Sequence, residues 1–315
     1  MNTYTQTMDW LMESQHPSIR VAIRRILWHE NPTLQETAAL VDDASPIRAI
    51  LNQMKEQTYW MHAKHFYSPK FKASHWSLLL LHEYGCPADL PEIQRACNYL
   101  LQGCRRWLDE GMIHRTKDHR MACFFGNVLR YCLAFGFQNH PTVREILDVL
   151  SHAKAGNEWT CKHNGGSPCT WGAIRTLWGY ALLPEAMRTP AVQTSINSGI
   201  DLICHSHEMM QTIDYAPTIK QHDQWEKISF PLYYQSDRLF TLRVMAEHGK
   251  LNQDLLRPAI AWLAARRKKN GRWQGSNPNK SRSWPYGISQ EDTDRWVSLH
   301  ALSILQTENV RVTLE

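Results

Sequence analysis

Apolar residues recur along this chain with a 3.6-residue period in stretch after stretch, and almost nowhere alternate with the two-residue period of a strand. That pattern restricts the chain to an all-α class. The helical stretches fall into two alternating sets. One set covers roughly 4–13, 45–56, 90–103, 141–154, 190–210 and 254–268. Several of its members open at Ser45-Pro46, Leu90-Pro91, His140-Pro141 and Thr189-Pro190, where the fixed φ and missing N–H of proline suit a first helical turn. The other set covers roughly 18–29, 74–85, 121–135, 170–183, 232–248 and 293–306 and is richer in apolar and aromatic residues. Gly85, Gly136 and Gly249 are placed to end its helices, and Pro184 blocks a fourth.

A helix that is apolar all round is buried, whereas one with a polar face lies outside. The second set is therefore an inner ring and the first an outer one. Corresponding residues His75, Cys123 and Cys169 lie 48 and 46 residues apart, which gives six copies of a helix pair with a period of about fifty residues. The expected architecture is a single α6/α6 toroid domain over 1–315, with an open α-solenoid as the competing arrangement. The period exceeds that of armadillo and HEAT arrays, which favours closure.

Composition narrows the function classes. With 43% hydrophobic and 21% charged residues the chain has ordinary globular content. The net charge of +5 is spread out, and the tight basic clusters, Arg105-Arg106 and Arg266 to Lys269, sit where helices end, so no nucleic-acid partner is expected. No apolar run is long enough to span a membrane. The opening MNTYTQTMDWLMES lacks the basic and apolar regions of a signal peptide, and a cytoplasmic location is expected. The 8 cysteines then read as reduced thiols, buried or metal-bound, and not as a disulfide framework. The 13 tryptophans point to an aromatic core or an aromatic-lined cavity.

Loop lengths place the site. Connections from inner to outer helices are mostly short, whereas those from outer to inner, at 57–73, 104–120, 155–169, 211–231 and 269–292, are long. Alternating helix direction puts the long loops at one end, together with the N-termini of the inner helices, whose free N–H groups favour an anion or thiolate.

The segment AIAWLAARRKKNGRW, from Ala259 to Trp273, resembles the QW repeat of squalene and terpenoid cyclases, with Arg266 at the usual glutamine. Weaker copies lie at 91–103 and 143–159. Together with CFFGN at 123–127, GGSPC at 165–169 and FPLYYQSD at 230–237, the whole chain resembles small bacterial and archaeal prenyltransferase and squalene-oxidase repeat proteins. These are α/α toroids of the terpenoid cyclase and protein prenyltransferase superfamily. The cyclases' Asp-x-Asp-Asp motif is represented only by Glu291-Asp292-Thr293-Asp294, in a different repeat, and the second barrel of the large cyclases and the aspartate-rich magnesium motif of prenyl synthases are absent. The resemblance to protein prenyltransferase β subunits implies zinc held by Asp, Cys and His. Cys169 stands as the analogue of the cysteine ligand, and Asp237 lies at a comparable place.

The stretch from Glu158 to Trp178 gathers two cysteines, a histidine and a glycine pair before an apolar helix. Cys123, Cys161 and Cys169, with His163 or Asp237, form a candidate zinc set; buried structural thiols are the alternative. Asp237, Tyr234 and Asp294 are the candidate catalytic residues, Asp237 as an acid or base, with helix capping as the other reading of both aspartates. His75, Trp76, Asn127, Trp171, Tyr233, Arg238 and Trp296 are the candidate substrate-binding residues at inner-helix starts. The resulting expectation is an enzyme acting on an apolar, isoprenoid-type small molecule in an aromatic cavity. Two alternatives stand beside it: a noncatalytic helical-repeat binding protein, and a carbohydrate-active barrel that pairs Glu158 with Asp237.

Overall fold

A computed structural model describes residues 3–110, 121–152, 159–206 and 223–307. The described residues form thirteen α-helices and no strand, with only isolated bridges such as Thr160 to Pro168. The helices are α1 Thr3–Met12, α2 Pro17–Ile23, α3 Leu34–Ala39, α4 Pro46–Leu51, α5 Ser74–Glu83, α6 Pro91–Asp109, α7 Ala122–Ala134 and α8 Pro141–Ser151. They continue as α9 Thr170–Tyr180, α10 Pro190–Cys204, α11 Arg238–Glu247, α12 Arg257–Ala265 and α13 Gln290–Gln306.

The punctuation expected from the sequence operates as expected. Proline occupies the first turn of α2, α4, α6, α8, α10 and α12. Gly85, Gly136 and Gly249 follow α5, α7 and α11 at φ of 72°, 87° and 66°, a region that a side chain disfavours. The outer helix α6 buries Ile93, Ala96, Cys97, Leu100, Leu101 and Cys104, a single stripe at helical spacing. By contrast, α7 buries every residue from Phe124 to Leu133, and α5 every residue from Ser74 to Leu81.

Among the differences from the sequence reading are two boundaries and one added element. The helix expected over 232–248 begins only at Arg238, because Asp237 caps it in an extended conformation. The helix expected over 45–56 stops at Leu51. An additional short helix, α3, is started by a capping box in which Thr33 and Glu36 exchange side-chain to backbone hydrogen bonds.

The inner helices are neighbours in the order α5, α7, α9, α11, α13 and then α2, each packed on the next. The outer helices α4, α6, α8, α10 and α12 pack on α5, α5, α7, α9 and α11. Near α2, the His16 ring meets Tyr84 of the α5 C-terminus edge-on at 4.9 Å. The guanidinium of Arg295 in α13 donates to the Trp10 carbonyl of α1 at 3.2 Å, so the first and last described helices touch.

The closest approach is between α7 and α9. A Cβ on Gly126 would lie 2.4 Å from the Arg175 carbonyl, and one on Gly179 would lie 2.7 Å from the Gly126 carbonyl oxygen. Both positions need glycine because backbone faces backbone there.

The interior between the inner helices carries charge. Arg243 of α11 pairs with Glu83 of α5 at 3.1 Å, and Arg130 of α7 pairs with Glu247 while donating to the Trp178 carbonyl at 2.9 Å. Burial and these guanidiniums hold His82 and His300 well below the ordinary imidazole range, so both are neutral. A void lined by Glu83, Arg243, His300 and Phe230 has room for about one water molecule.

Candidate functional site

The starts of α5, α7, α9 and α11 carry a continuous aromatic surface. Trp76, in the first turn of α5, is fixed by donation from its indole to the Tyr67 carbonyl at 2.7 Å. Its ring lies 5.3 Å from Phe71, 5.8 Å from Tyr233 and 6.1 Å from Tyr234. Tyr234 stacks parallel to Phe71 and meets Trp171 of α9 edge-on at 6.1 Å; Trp171 continues to Trp225 at 6.3 Å. Trp76 and Tyr233 are buried, whereas Tyr234 and Trp171 are half-buried and form the accessible part of the wall.

Two cations sit on this wall. The Lys70 ammonium lies 4.6 Å from the Tyr234 ring, and the Arg282 guanidinium 4.8 Å from the Phe71 ring. Burial, and then the nearby Cys123 thiol, push the Tyr67 and Tyr234 phenols up, so both are neutral hydrogen-bond donors at physiological pH.

Beside the wall stands a thiol pair. The Thr160 to Pro168 bridge is closed by hydrogen bonds from Cys161 N–H to Ser167 O at 3.2 Å and from Cys169 N–H to Trp159 O at 2.8 Å. Gly165 and Gly166, at φ of 61° and 80°, make the turn. In this register residues 161 and 169 fall on one face as diagonal neighbours. Cys169 is the N-cap of α9, and its sulfur accepts from Gly172 N–H at 3.4 Å. The neighbouring Cys169 thiol holds the Cys161 thiol below its ordinary range. The neighbouring Cys161 thiol and burial raise Cys169. Burial, then Cys161, pushes Cys123 up to about 11.

The zinc set expected from the sequence is not gathered. Cys161 neighbours Cys169, Cys123 is within electrostatic reach of both, and His163 adjoins Cys161, yet no three His, Cys, Asp or Glu side chains among the described residues converge as a metal-binding group. Asp237 stands apart, fully buried as the N-cap of α11. One carboxylate oxygen accepts from Phe240 N–H at 2.8 Å and the other from Ser229 N–H at 2.7 Å. Burial pushes its pKa up to about 7 against the pull of those donors and of Arg175 and Arg243.

The remaining sequence candidates divide between core and a second location. His75 is buried between Tyr67, Trp76 and Phe124 with Nδ1 3.1 Å from the Tyr131 hydroxyl, and burial, with Arg175, brings it down to about 3, so it is neutral. Asn127 is buried in α7 and donates to the Tyr233 carbonyl at 2.8 Å. Arg238 is buried, pairs with Glu226 at 2.9 Å and lies over the Trp262 ring. Trp296 packs with Phe230, Tyr84, His16 and His300. Asp294 lines a different surface cleft of about 360 Å³ with Trp10, Arg272 and Glu291, and its Oδ1 accepts from Gly275 N–H at 2.7 Å and from Gln290 at 2.8 Å. Glu158 lies outside the described residues.

Sequence reasoning missed Tyr67, Lys70, Phe71 and Arg282, which lie in loops and have no period to mark them. It also missed Arg175, whose signal was available: a lone charge inside the apolar helix TWGAIRTLWGY. That side chain is fully buried over the Phe240 ring at 3.9 Å, donates Nη2 to the Gln235 carbonyl and leaves Nε and Nη1 without a hydrogen-bond partner. Burial pushes it down to about 9.

Comparison with protein-family models, with curated proteins and with solved structures finds no match.

Proposed function

We propose that this chain is a closed α/α toroid of the terpenoid cyclase and protein prenyltransferase type, and that the aromatic wall at its inner-helix starts binds an apolar small molecule of the isoprenoid class. The observation that carries the reading is the unbroken series Phe71, Trp76, Tyr234, Trp171, of which Tyr234 and Trp171 remain half-exposed. Closure is supported by the succession of inner-helix neighbours from α5 round to α2 and by the contact of α13 with α1.

An isoprenoid chain gains by lying on aromatic faces, which supply large apolar area with quadrupolar attraction for electron-poor carbon. Lys70 and Arg282 at the edge of the wall suit a ligand with an anionic or hydroxylated end, to which the neutral Tyr67 and Tyr234 phenols can donate. An enzymatic role would use these phenols. Zinc is left out of the reading because the donors are not gathered. The carboxylate-pair alternative loses support because both oxygens of Asp237 are enclosed on backbone donors.

Calorimetric titration with a fifteen-carbon isoprenoid alcohol and its diphosphate tests the proposal. Saturable binding is expected, and Trp171→Ala or Tyr234→Ala should each weaken it about tenfold with the fold retained. Absence of binding to either compound, or binding untouched by both substitutions, would favour the noncatalytic peptide-binding alternative.

A further inference from the structure

We infer that the cleft between the first and last described helices is a binding site for a free α-amino acid, recognised as a zwitterion through both of its charged ends. The cleft, about 360 Å³ in volume, is of a size that takes a small molecule. It lies across the seam of the chain. Trp10 comes from α1, Gln290, Glu291 and Asp294 from the start of α13, and Lys268 and Arg272 from the loop after α12.

Charge is separated across this cleft. On the loop side, Gly271 turns the chain at φ of 80° and Asn270 accepts from Arg272 N–H at 3.2 Å, which sets the Arg272 guanidinium over the Trp10 ring at 4.2 Å. Its Nε has no hydrogen-bond partner among the described residues, and Lys268 donates to the neutral Gln274 amide at 2.7 Å. On the helix side, Glu291 is held by Arg295 at 2.9 Å and by the Trp10 indole N–H at 3.3 Å. Asp294 accepts from Gly275 N–H at 2.7 Å and from Gln290 at 2.8 Å through Oδ1 alone, so Oδ2 has no donor among the described residues. Two cations and two carboxylates thus share one cleft, yet among the described residues neither Lys268 nor Arg272 pairs with Glu291 or Asp294. The carboxylates are anchored by groups of their own, and the two signs stand apart with room between them.

That pattern selects the ligand. A simple anion is drawn to Arg272 and Lys268 but repelled by Glu291 and Asp294, and a simple cation meets the reverse. The aromatic face on which a sugar ring would lie is already taken: the buried Trp10 ring has Arg272 and Arg295 over it at 4.2 and 5.0 Å, and Trp273 is buried. A zwitterion satisfies both sides. Its carboxylate takes the forked N–H groups of Arg272, and its ammonium donates to Asp294 Oδ2 and to the exposed Glu291 carboxylate. The remaining volume holds the side chain. A molecule bound there links α1 to α13, so occupancy strengthens the contact that Arg295 already makes with the Trp10 carbonyl. The cleft shares no residue with the aromatic wall, and the inference is independent of which ligand the wall takes.

The test is a thermal-shift and calorimetric screen of the full-length protein against the proteinogenic amino acids, one at a time, followed by the N-acetyl and carboxamide derivatives of any that bind. At least one free amino acid is expected to bind saturably and to raise the thermal midpoint by roughly 3–6 °C at about a hundredfold excess over its Kd. Blocking either charged end should weaken binding at least about tenfold, and Arg272→Gln and Asp294→Asn should each do the same to the free amino acid. The inference is overturned if no amino acid binds, if the blocked derivatives bind as tightly as the free compound, if both variants bind like the wild type, or if inorganic phosphate binds with equal affinity and displaces the amino acid. The derivative series requires no substitution, so it decides even where a variant fails to fold.

Discussion

Asp237 shows how a single residue can satisfy a sequence pattern for a reason other than chemistry. A carboxylate before an apolar helix and beside two tyrosines fits either a general acid or a cap, and the sequence leaves both open. The structure places both oxygens on backbone N–H groups, so the residue holds the entry to α11 against the segment around Ser229. Its raised pKa, about 7, has a consequence for stability. The folded state keeps the proton to higher pH than the unfolded chain, whose aspartate has a pKa near 3.9. This group's contribution is therefore fully present below about pH 4 and is lost as pH rises through 7, by roughly 4 kcal/mol at most. Asp237→Asn should remove that slope. It should also cost about 1–3 kcal/mol at low pH, because its amide nitrogen would face one backbone N–H in place of an acceptor. Thermal midpoints measured from pH 4 to 8 for both proteins check this; a wild-type midpoint that rises with pH over that window, with the variant flat, would reverse the sign and refute the account.

At the scale of elements, the helices were legible because two independent signals coincide: a 3.6-residue apolar period, and proline or glycine where it must break. Helix α3 escaped because six residues carry too little periodicity, and only the Thr33 to Glu36 capping box marks it. The start of α11 was misjudged because the aromatic run before Asp237 is apolar enough to pass for helix, although the cap shows the chain extended there. Much of the aromatic wall was legible, since Trp76, Trp171 and Tyr234 fall at or near inner-helix starts. Its loop members Tyr67 and Phe71 were not, because contacts between distant loops leave no local pattern. The α7–α9 contact supplies the sharpest test at this scale. Gly126→Ala would drive a methyl group into the Arg175 backbone carbonyl, which no rotamer change relieves. A loss of about 1–3 kcal/mol or more in denaturant-unfolding stability is expected. A neutral or stabilising effect, the ordinary result of replacing a helical glycine by alanine, would contradict the close packing of these helices.

For the molecule as a whole, the 3.6-residue apolar period made the all-α class readable, while the closure we propose depends on long-range contacts that no period encodes. Those contacts join the ends of the chain: α13 to α2, Arg295 to the Trp10 carbonyl, and Tyr84 of the α5 C-terminus to the Tyr286 and Gly287 carbonyls at 2.8 and 3.1 Å. The space between α5, α7, α9 and α11 carries Glu83, Arg243, Arg130 and Arg175, which favours the aromatic wall at the helix starts over a large apolar chamber as the place for binding. No helix among the described residues is long and apolar enough to cross a membrane. Everything proposed for the wall depends on the inner helices facing one another around a ring. Small-angle X-ray scattering of the monomer tests this most directly. The closed ring predicts a radius of gyration of roughly 20 Å, the value for a compact domain of this length, whereas a markedly larger radius with the elongated distance distribution of an open solenoid would contradict it.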